Sequence, residues 1–277
     1  MNSLWRRLRQ EWLLVFVTQQ FLTRVPVPAW VAREPWHPER LNQAVRYFPL
    51  VGAVVGLVGA AVALLALSLW PPLVAATLAV GATCWLTAAF HEDGLADSAD
   101  ALFGPTTREK ALAIMKDSRI GSYGAVALGL SLLLRVALLA ELLRTDPLLA
   151  GAVCVAAHAA GRAAAVALMA VLPYAGDEAH AKAKPLARRV GGGLGGWGGG
   201  WGAAVLALPW LAEPGWLAAG QALGAWLALV LMVAVLRAGL HRRLGGYTGD
   251  TLGACEQLGE IIVALAFVAG AVAGVSS

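Results

Sequence analysis

Long apolar runs separated by short polar loops dominate this chain. Stretches rich in Ala, Leu, Val and Gly cover residues 45–70, 72–90, 122–143, 147–172, 194–212, 215–236 and 253–275. Most are about 17 to 25 residues long, the length an α-helix needs to cross roughly 30 Å of hydrocarbon. The pattern predicts about seven transmembrane helices. The period-two alternation of an outer-membrane barrel strand is not seen. The fifth run forms helix least readily, because "GGGLGGWGGGWG" is poor in helix formers and rich in residues that let helices approach closely. Ahead of the runs, "MNSLWRRLRQEWLLVFVTQQFLTRVPVP" has an apolar stretch interrupted by Gln19, Gln20 and Arg24, and no small-residue cleavage site follows. It reads as a retained amphipathic helix lying at the membrane surface, within an interfacial segment 1–44. The expected architecture is all-α: a polytopic integral membrane helix bundle forming one domain, 1–277, without a soluble domain or an internal repeat.

Composition agrees with this reading. The chain is 59% hydrophobic and 14% charged, with a mean hydropathy of +0.68, well above a soluble globular domain. A net charge of +4 and a pI near 9.2 raise the question of a nucleic-acid partner, but the basic residues are spread over several short loops instead of one patch, so none is expected. Orientation explains them better. With the N-terminus in the cytoplasm, Arg6 to Arg46, then Arg108, Lys110, Lys116 and Arg119, then Lys182, Lys184, Arg188 and Arg189, and finally Arg237, Arg242 and Arg243 fall on one side, while the opposite loops carry only Arg144. Cys84, Cys154 and Cys255 lie in apolar surroundings without CxxC spacing and read as packing residues.

The chemistry gathers at the end of the second run. In "AAFHEDGLADSADALFG", Asp93, Asp97 and Asp100 follow i, i+4, i+7 spacing and share one face of a helix. Like charges so placed repel, and the repulsion is relieved by a divalent cation, by protonation or by full exposure to water. A merely solvated loop would mix signs, which this face does not. Oxygen donors without a nearby thiol favour Mg²⁺ or Mn²⁺ over zinc, and phosphate oxygens commonly complete such a shell. Lys116 and Arg119, in "IMKDSRIGSYGAVALG", sit at the same interface and suit a diphosphate. Ordinary positive-inside loop charges are the plainer alternative. Arg162 lies inside the fourth run, where an ionisable residue is a functional candidate by default, against snorkelling or a structural pair. His158, one turn earlier, reads as a hydrogen-bonded core residue. Arg135 and Glu141 read as an interhelical pair or snorkelling charges. Lys182 and Lys184 suit either phosphate or anionic lipid. Asp250, in a glycine-rich loop entering the last run, could complete a metal site or accept a proton. Glu256 and Glu260, near that helix's N-terminus, are accounted for by the helix dipole.

Together, "QFLTRVPVP", "FHEDGLADSADALFG", "IMKDSRIGSYGAVAL", "LPYAGDEAHAKAKPL" and "GGYTGDTLGACEQLGE" resemble the cobalamin synthase family, the adenosylcobinamide-GDP ribazoletransferases of bacterial inner membranes. The pieces span almost the whole chain in the family's order. The resemblance implies a Mg²⁺-dependent transfer in which a hydroxyl of α-ribazole or its 5'-phosphate attacks the corrinoid-side phosphorus of adenosylcobinamide-GDP and GMP leaves. It implies Asp93, Asp97 and Asp100 as metal ligands, with Asp97 and Asp250 carrying the chemistry. Lys116, Arg119, Arg162 and Lys184 become phosphate contacts. It further implies a multi-pass inner-membrane protein associated with a corrinoid-pathway membrane complex; the loop charges put the acidic segment 91–121 on the cytoplasmic side, and the glycine-rich fifth run could pack within one chain or between the chains of a homo-oligomer. After "LPY" the family pattern leads one to expect a basic residue, whereas Ala175 and Gly176 stand here.

Two other readings are weaker. A CDP-alcohol phosphotransferase has Ala-Arg two residues after its Asp-Gly, and here Leu95 and Ala96 are followed by Asp97. A transporter relay calls for inverted repeats and a midplane acid, and the acids cluster at one face instead.

Overall fold

The computed structural model describes residues 3–35, 37–105, 107–176, 200, 204–212 and 215–275. Among them the regular structure is helical, apart from one isolated bridge between Tyr174 and Tyr247. Lys182, Lys184 and residues 194–199 and 201–203 of the predicted fifth span lie outside the described residues.

Helix α1 (Ser3–Leu22) carries its charges early. Arg6, Arg7 and Arg9 are exposed, as are Trp5 and Trp12, while Leu13, Leu14 and Val17 are buried. This is the two-faced pattern expected of a helix lying along a bundle or a membrane surface. Thr18 ties it down by donating to the carbonyls of Leu14 (3.0 Å) and Ala44 (2.8 Å). Arg46 and Tyr47 both donate to the Glu11 carboxylate. A short helix α2 (Ala29–Ala32) follows, then α3 (Pro38–Ala44), a 3-10 turn (Val45–Tyr47) and α4 (Phe48–Leu67).

The bundle is completed by α5 (Pro72–Leu86), α6 (Phe90–Leu102), α7 (Arg108–Ile114), α8 (Ser122–Thr145), α9 (Pro147–Val171), α10 (Leu208–Ala212), α11 (Trp216–Leu244) and α12 (Gly249–Val275). Helix α9 is its axis: 78% of its most apolar window is buried, against 28% for α8 and 22% for α11. The outer two present Leu and Val outward, as lipid-facing helices do. Small residues let α4 close onto α9. A Cβ on Gly52 would lie 2.5 Å from the His158 carbonyl oxygen, and one on Gly56 would lie 2.7 Å from that of Cys154. Asp146 starts α9 by accepting from the N–H groups of Leu148 (2.8 Å) and Leu149 (3.0 Å), with Pro147 at the first helical position.

The second of the expected spans takes a different shape from its hydropathy run. Among the described residues five helices are long and apolar enough to cross a membrane, and α5 with α6 forms a sixth only as a pair bent by 88°. The predicted second span, 72–90, ends at Leu86 because Ala88 (φ 59°) and Ala89 (φ 53°) are both left-handed, which costs an alanine about 1–2 kcal/mol. The break is well satisfied. Ala89 N–H reaches the Cys84 carbonyl (2.7 Å), as in a Schellman end, and the Leu86 carbonyl accepts from Arg24 N–H (2.8 Å). Neither glycine nor proline marks this turn, so the hydropathy runs straight through it.

Candidate active site

The bend brings α6 across one end of the bundle. Helix α12 crosses it there at backbone distance: a Cβ on Gly94 would stand 2.8 Å from the Asp250 carbonyl oxygen, and one on Gly253 would stand 3.0 Å from that of His91. Glycine at both positions is therefore what seats Asp93 and Asp97 opposite Asp250.

These residues enclose a cavity of about 220 Å³. Asp93 and Asp97 line it from α6, Lys116 from the loop after α7, Arg162 from α9 and Asp250 from the start of α12. Asp93 and Lys116 are exposed, Asp97 and Asp250 half-buried, and Arg162 is only 1% exposed. Five of the sequence-nominated residues thus converge from four parts of the chain. The lining also includes an aromatic group, Phe21, Phe48 and Phe90.

The loops at this end are tied together. Ala175 N–H donates to the Tyr247 carbonyl (2.8 Å), and Tyr247 N–H donates to that of Pro173 (2.9 Å). Arg108 reaches the carbonyls of Leu244 (2.7 Å) and Ala175 (3.2 Å), and Arg243 reaches that of Gly104 (2.9 Å). Burial, with Tyr174 alongside, raises the Tyr247 phenol above its ordinary pKa, so it stays protonated at neutral pH. Ala175, where a basic residue was expected, contributes main chain to this clamp.

Two other nominated residues are placed elsewhere. Asp100 shares the predicted acidic face, yet it accepts from Gly121 N–H (2.7 Å) and Gly124 N–H (2.8 Å). Its carboxylate caps the N-terminus of α8, where the helix dipole favours an anion. Arg119 does not line the cavity. It is exposed and forks onto Asp117, at 2.6 Å for the shortest contact, and its hydrogen bonds hold the Asp117 carboxyl below the usual carboxylate range.

Behind Arg162 lies a buried ionic cluster, in which Glu256 and Glu260 do more than answer a helix dipole. Arg162 pairs with Glu256 (2.5 Å) and Glu260 (3.4 Å) and donates to the His158 carbonyl (2.8 Å). Arg135 pairs with Glu92 (2.7 Å) and Glu260 (2.9 Å) and donates to Gln257 (3.0 Å). The His158 ring meets Glu260. Arg135 thus forms an interhelical pair, one of the two readings given for it, whereas Glu141 holds Arg144 on the surface, and Glu256 and Glu260 serve as counterions to buried guanidiniums. His158, Glu256 and Glu260 hold ligand atoms within 4.8 Å of one another. Both carboxylates are already in contact with guanidiniums, which makes the cluster a counterion network. The i, i+4 pairs His158/Arg162 and Glu256/Glu260, together with Arg135 deep in an apolar run, were the available signals.

The arrangement can do specific chemistry. Asp93, Asp97 and Asp250 offer carboxylate oxygens, the donor set that Mg²⁺ takes, and Lys116 and Arg162 offer N–H donors to phosphate. The Nε of Arg162 meets no acceptor among the described residues.

A family model described as cobalamin-5-phosphate synthase matches residues 14–268. Curated proteins named adenosylcobinamide-GDP ribazoletransferase are similar along nearly the full length. The Leptothrix cholodnii protein is 48% identical, covering 93% of this chain and 95% of its own. That of Shewanella frigidimarina is 41% identical, covering 94% and 97%, and that of Shewanella piezotolerans is 40% identical, covering 92% and 94%. No solved structure matches.

Proposed function

The chain belongs to the cobalamin-5-phosphate synthase family, and on that premise we propose that it acts as an adenosylcobinamide-GDP ribazoletransferase. It joins the adenosylcobinamide phosphoryl group to a ribose hydroxyl of α-ribazole or its 5'-phosphate. This is the step that completes the nucleotide loop of cobalamin. The observation that carries the reading to this chain's own residues is the single cavity lined by Asp93, Asp97, Asp250, Lys116 and Arg162.

In the reaction the hydroxyl oxygen forms a bond to the corrinoid-side phosphorus, the P–O bond to the guanylyl phosphate breaks, and GMP leaves with the electron pair. Lys116 and Arg162 hold the diphosphate and meet the charge that grows on the departing phosphate. Asp97 or Asp250 takes the hydroxyl proton. Asp93, Asp97 and Asp250 would hold Mg²⁺, which, when bound, supplies positive charge to the diphosphate. Asp100 and Arg119 stand outside the set of residues to which this reading gives a role: Asp100 accepts from the N–H groups of Gly121 and Gly124, and Arg119 pairs with Asp117. The asymmetry of basic loops supports placing this end on the cytoplasmic side of the inner membrane.

The test uses membranes carrying the chain, supplied with adenosylcobinamide-GDP, α-ribazole or its 5'-phosphate, and Mg²⁺, with GMP and the corrinoid product followed by chromatography. Product should form, stop with chelator, and be lost in Asp97→Asn at unchanged membrane insertion. A well-inserted chain that makes no product overturns the assignment; near wild-type turnover of Asp97→Asn removes that residue from the chemistry.

A further inference from the structure

The cavity has an aromatic as well as a polar lining, and only the polar one is used by the mechanism above. Phe21 of α1, Phe48 of α4 and Phe90 of α6 form a cluster: Phe21 lies 5.9 Å from Phe48, stacked, and 5.5 Å from Phe90, edge-on. Phe90 keeps 42% of its surface exposed. Its placement follows from the turn at Ala88 and Ala89, the only non-glycine positive-φ residues among those described. Strained backbone of this kind persists where the surrounding structure holds it, and here it sets Phe90 at the first turn of α6. The helix seen as interfacial from its sequence also reaches the cavity, through Phe21 and Leu22.

Phe90, Asp93 and Asp97 stand at i, i+3 and i+7, one stripe of α6 about 10 Å long at 1.5 Å per residue. That is the reach of a nucleoside from its base to its ribose hydroxyls. The cavity of about 220 Å³ exceeds the roughly 150 Å³ that encloses a benzene ring, so it has room for a one- or two-ring heterocycle. The three phenyl rings offer no partner for a hydrogen-bonding edge, which disfavours guanine there. We propose that Phe21, Phe48 and Phe90 form the subsite for the flat, apolar heterocycle of the nucleoside acceptor, so that a base stacked at the start of α6 aims its ribose hydroxyl at the aspartates one and two turns along. This rests on the transferase reading and adds the residues that select and orient the acceptor.

The test measures KM for each substrate separately in Phe90→Ala and Phe21→Ala. Base–aromatic stacking implies a rise of about 5- to 100-fold in KM for α-ribazole, with KM for adenosylcobinamide-GDP unchanged and activity restored in Phe90→Tyr. Free benzimidazole should compete with α-ribazole in the wild-type chain and lose potency by a similar factor in Phe90→Ala. A rise in the donor's KM instead makes the guanine the occupant and overturns the proposal, as does no change in either KM. If an alanine variant fails to insert, Phe90→Leu and Phe21→Leu keep volume without the ring and are held to the same outcome. If the wild-type chain makes no product, the transferase reading has failed, and saturable benzimidazole binding that Phe90→Leu weakens decides the subsite by itself.

Discussion

Replacing Arg135 by Met tests whether the ionic cluster is as dry as its geometry indicates. Arg135 lies well inside α8, is 8% exposed and bridges Glu92 at 2.7 Å and Glu260 at 2.9 Å. Methionine keeps much of the apolar stem and removes the guanidinium. Glu260 retains Arg162 at 3.4 Å and its contact with His158. Glu92, 5% exposed, keeps only Gln257 (3.3 Å) and the Cys84 thiol (3.2 Å) among the described residues. Breaking a buried pair from one side costs about 3–5 kcal/mol, a large share of the roughly 5–15 kcal/mol that holds a domain folded. Arg135→Met/Glu92→Gln removes the stranded charge as well, so it should be more stable than Arg135→Met alone, with a coupling of about 1 kcal/mol or more. The assay is unfolding of the purified chain in mixed micelles of rising SDS fraction, followed by helical circular dichroism. An Arg135→Met loss under about 1 kcal/mol, or strictly additive effects, would show that Arg135 is hydrated or snorkelling and refute the counterion account.

Asp100→Ala should lower stability by about 1–2 kcal/mol through loss of the α8 cap, measured in the same micelles, while the Mg²⁺ concentration giving half-maximal activity stays unchanged. Asp93→Asn should raise that concentration at least about tenfold with little effect on unfolding, so a swap of these two phenotypes would return Asp100 to the metal site. Gly94→Ala drives a methyl group to 2.8 Å from the Asp250 carbonyl, and overpacking of this kind costs about 1–3 kcal/mol. Its turnover should fall further than its stability explains, because Asp250 moves relative to Asp93 and Asp97; wild-type turnover would show that the α6–α12 crossing is not critical.

The apolar runs were enough to identify a multi-span helical chain, because transfer of a helix into lipid depends on local composition. They were also enough for the site's acidic half: Asp93 and Asp97 are one helical turn apart, so the face they share follows from periodicity alone. Glycines near Asp250 and a lone Arg162 in an apolar run were further local signals, and all these residues line one cavity. What tertiary structure decided is where each group finds its partner. Asp100 has the same periodicity as Asp93 and Asp97 but caps α8, since the N–H groups of Gly121 and Gly124 arrive there from another helix. Which carboxylates Arg135 pairs with, Glu92 and Glu260, is decided in the same way. The 88° turn at Ala88 and Ala89, which sets Phe90 beside Phe21, has no local signature because alanine does not favour it. Periodicity assigns a side chain to a face of its own helix; the pairing of charges, caps and rings across helices depends on close packing between segments far apart in sequence.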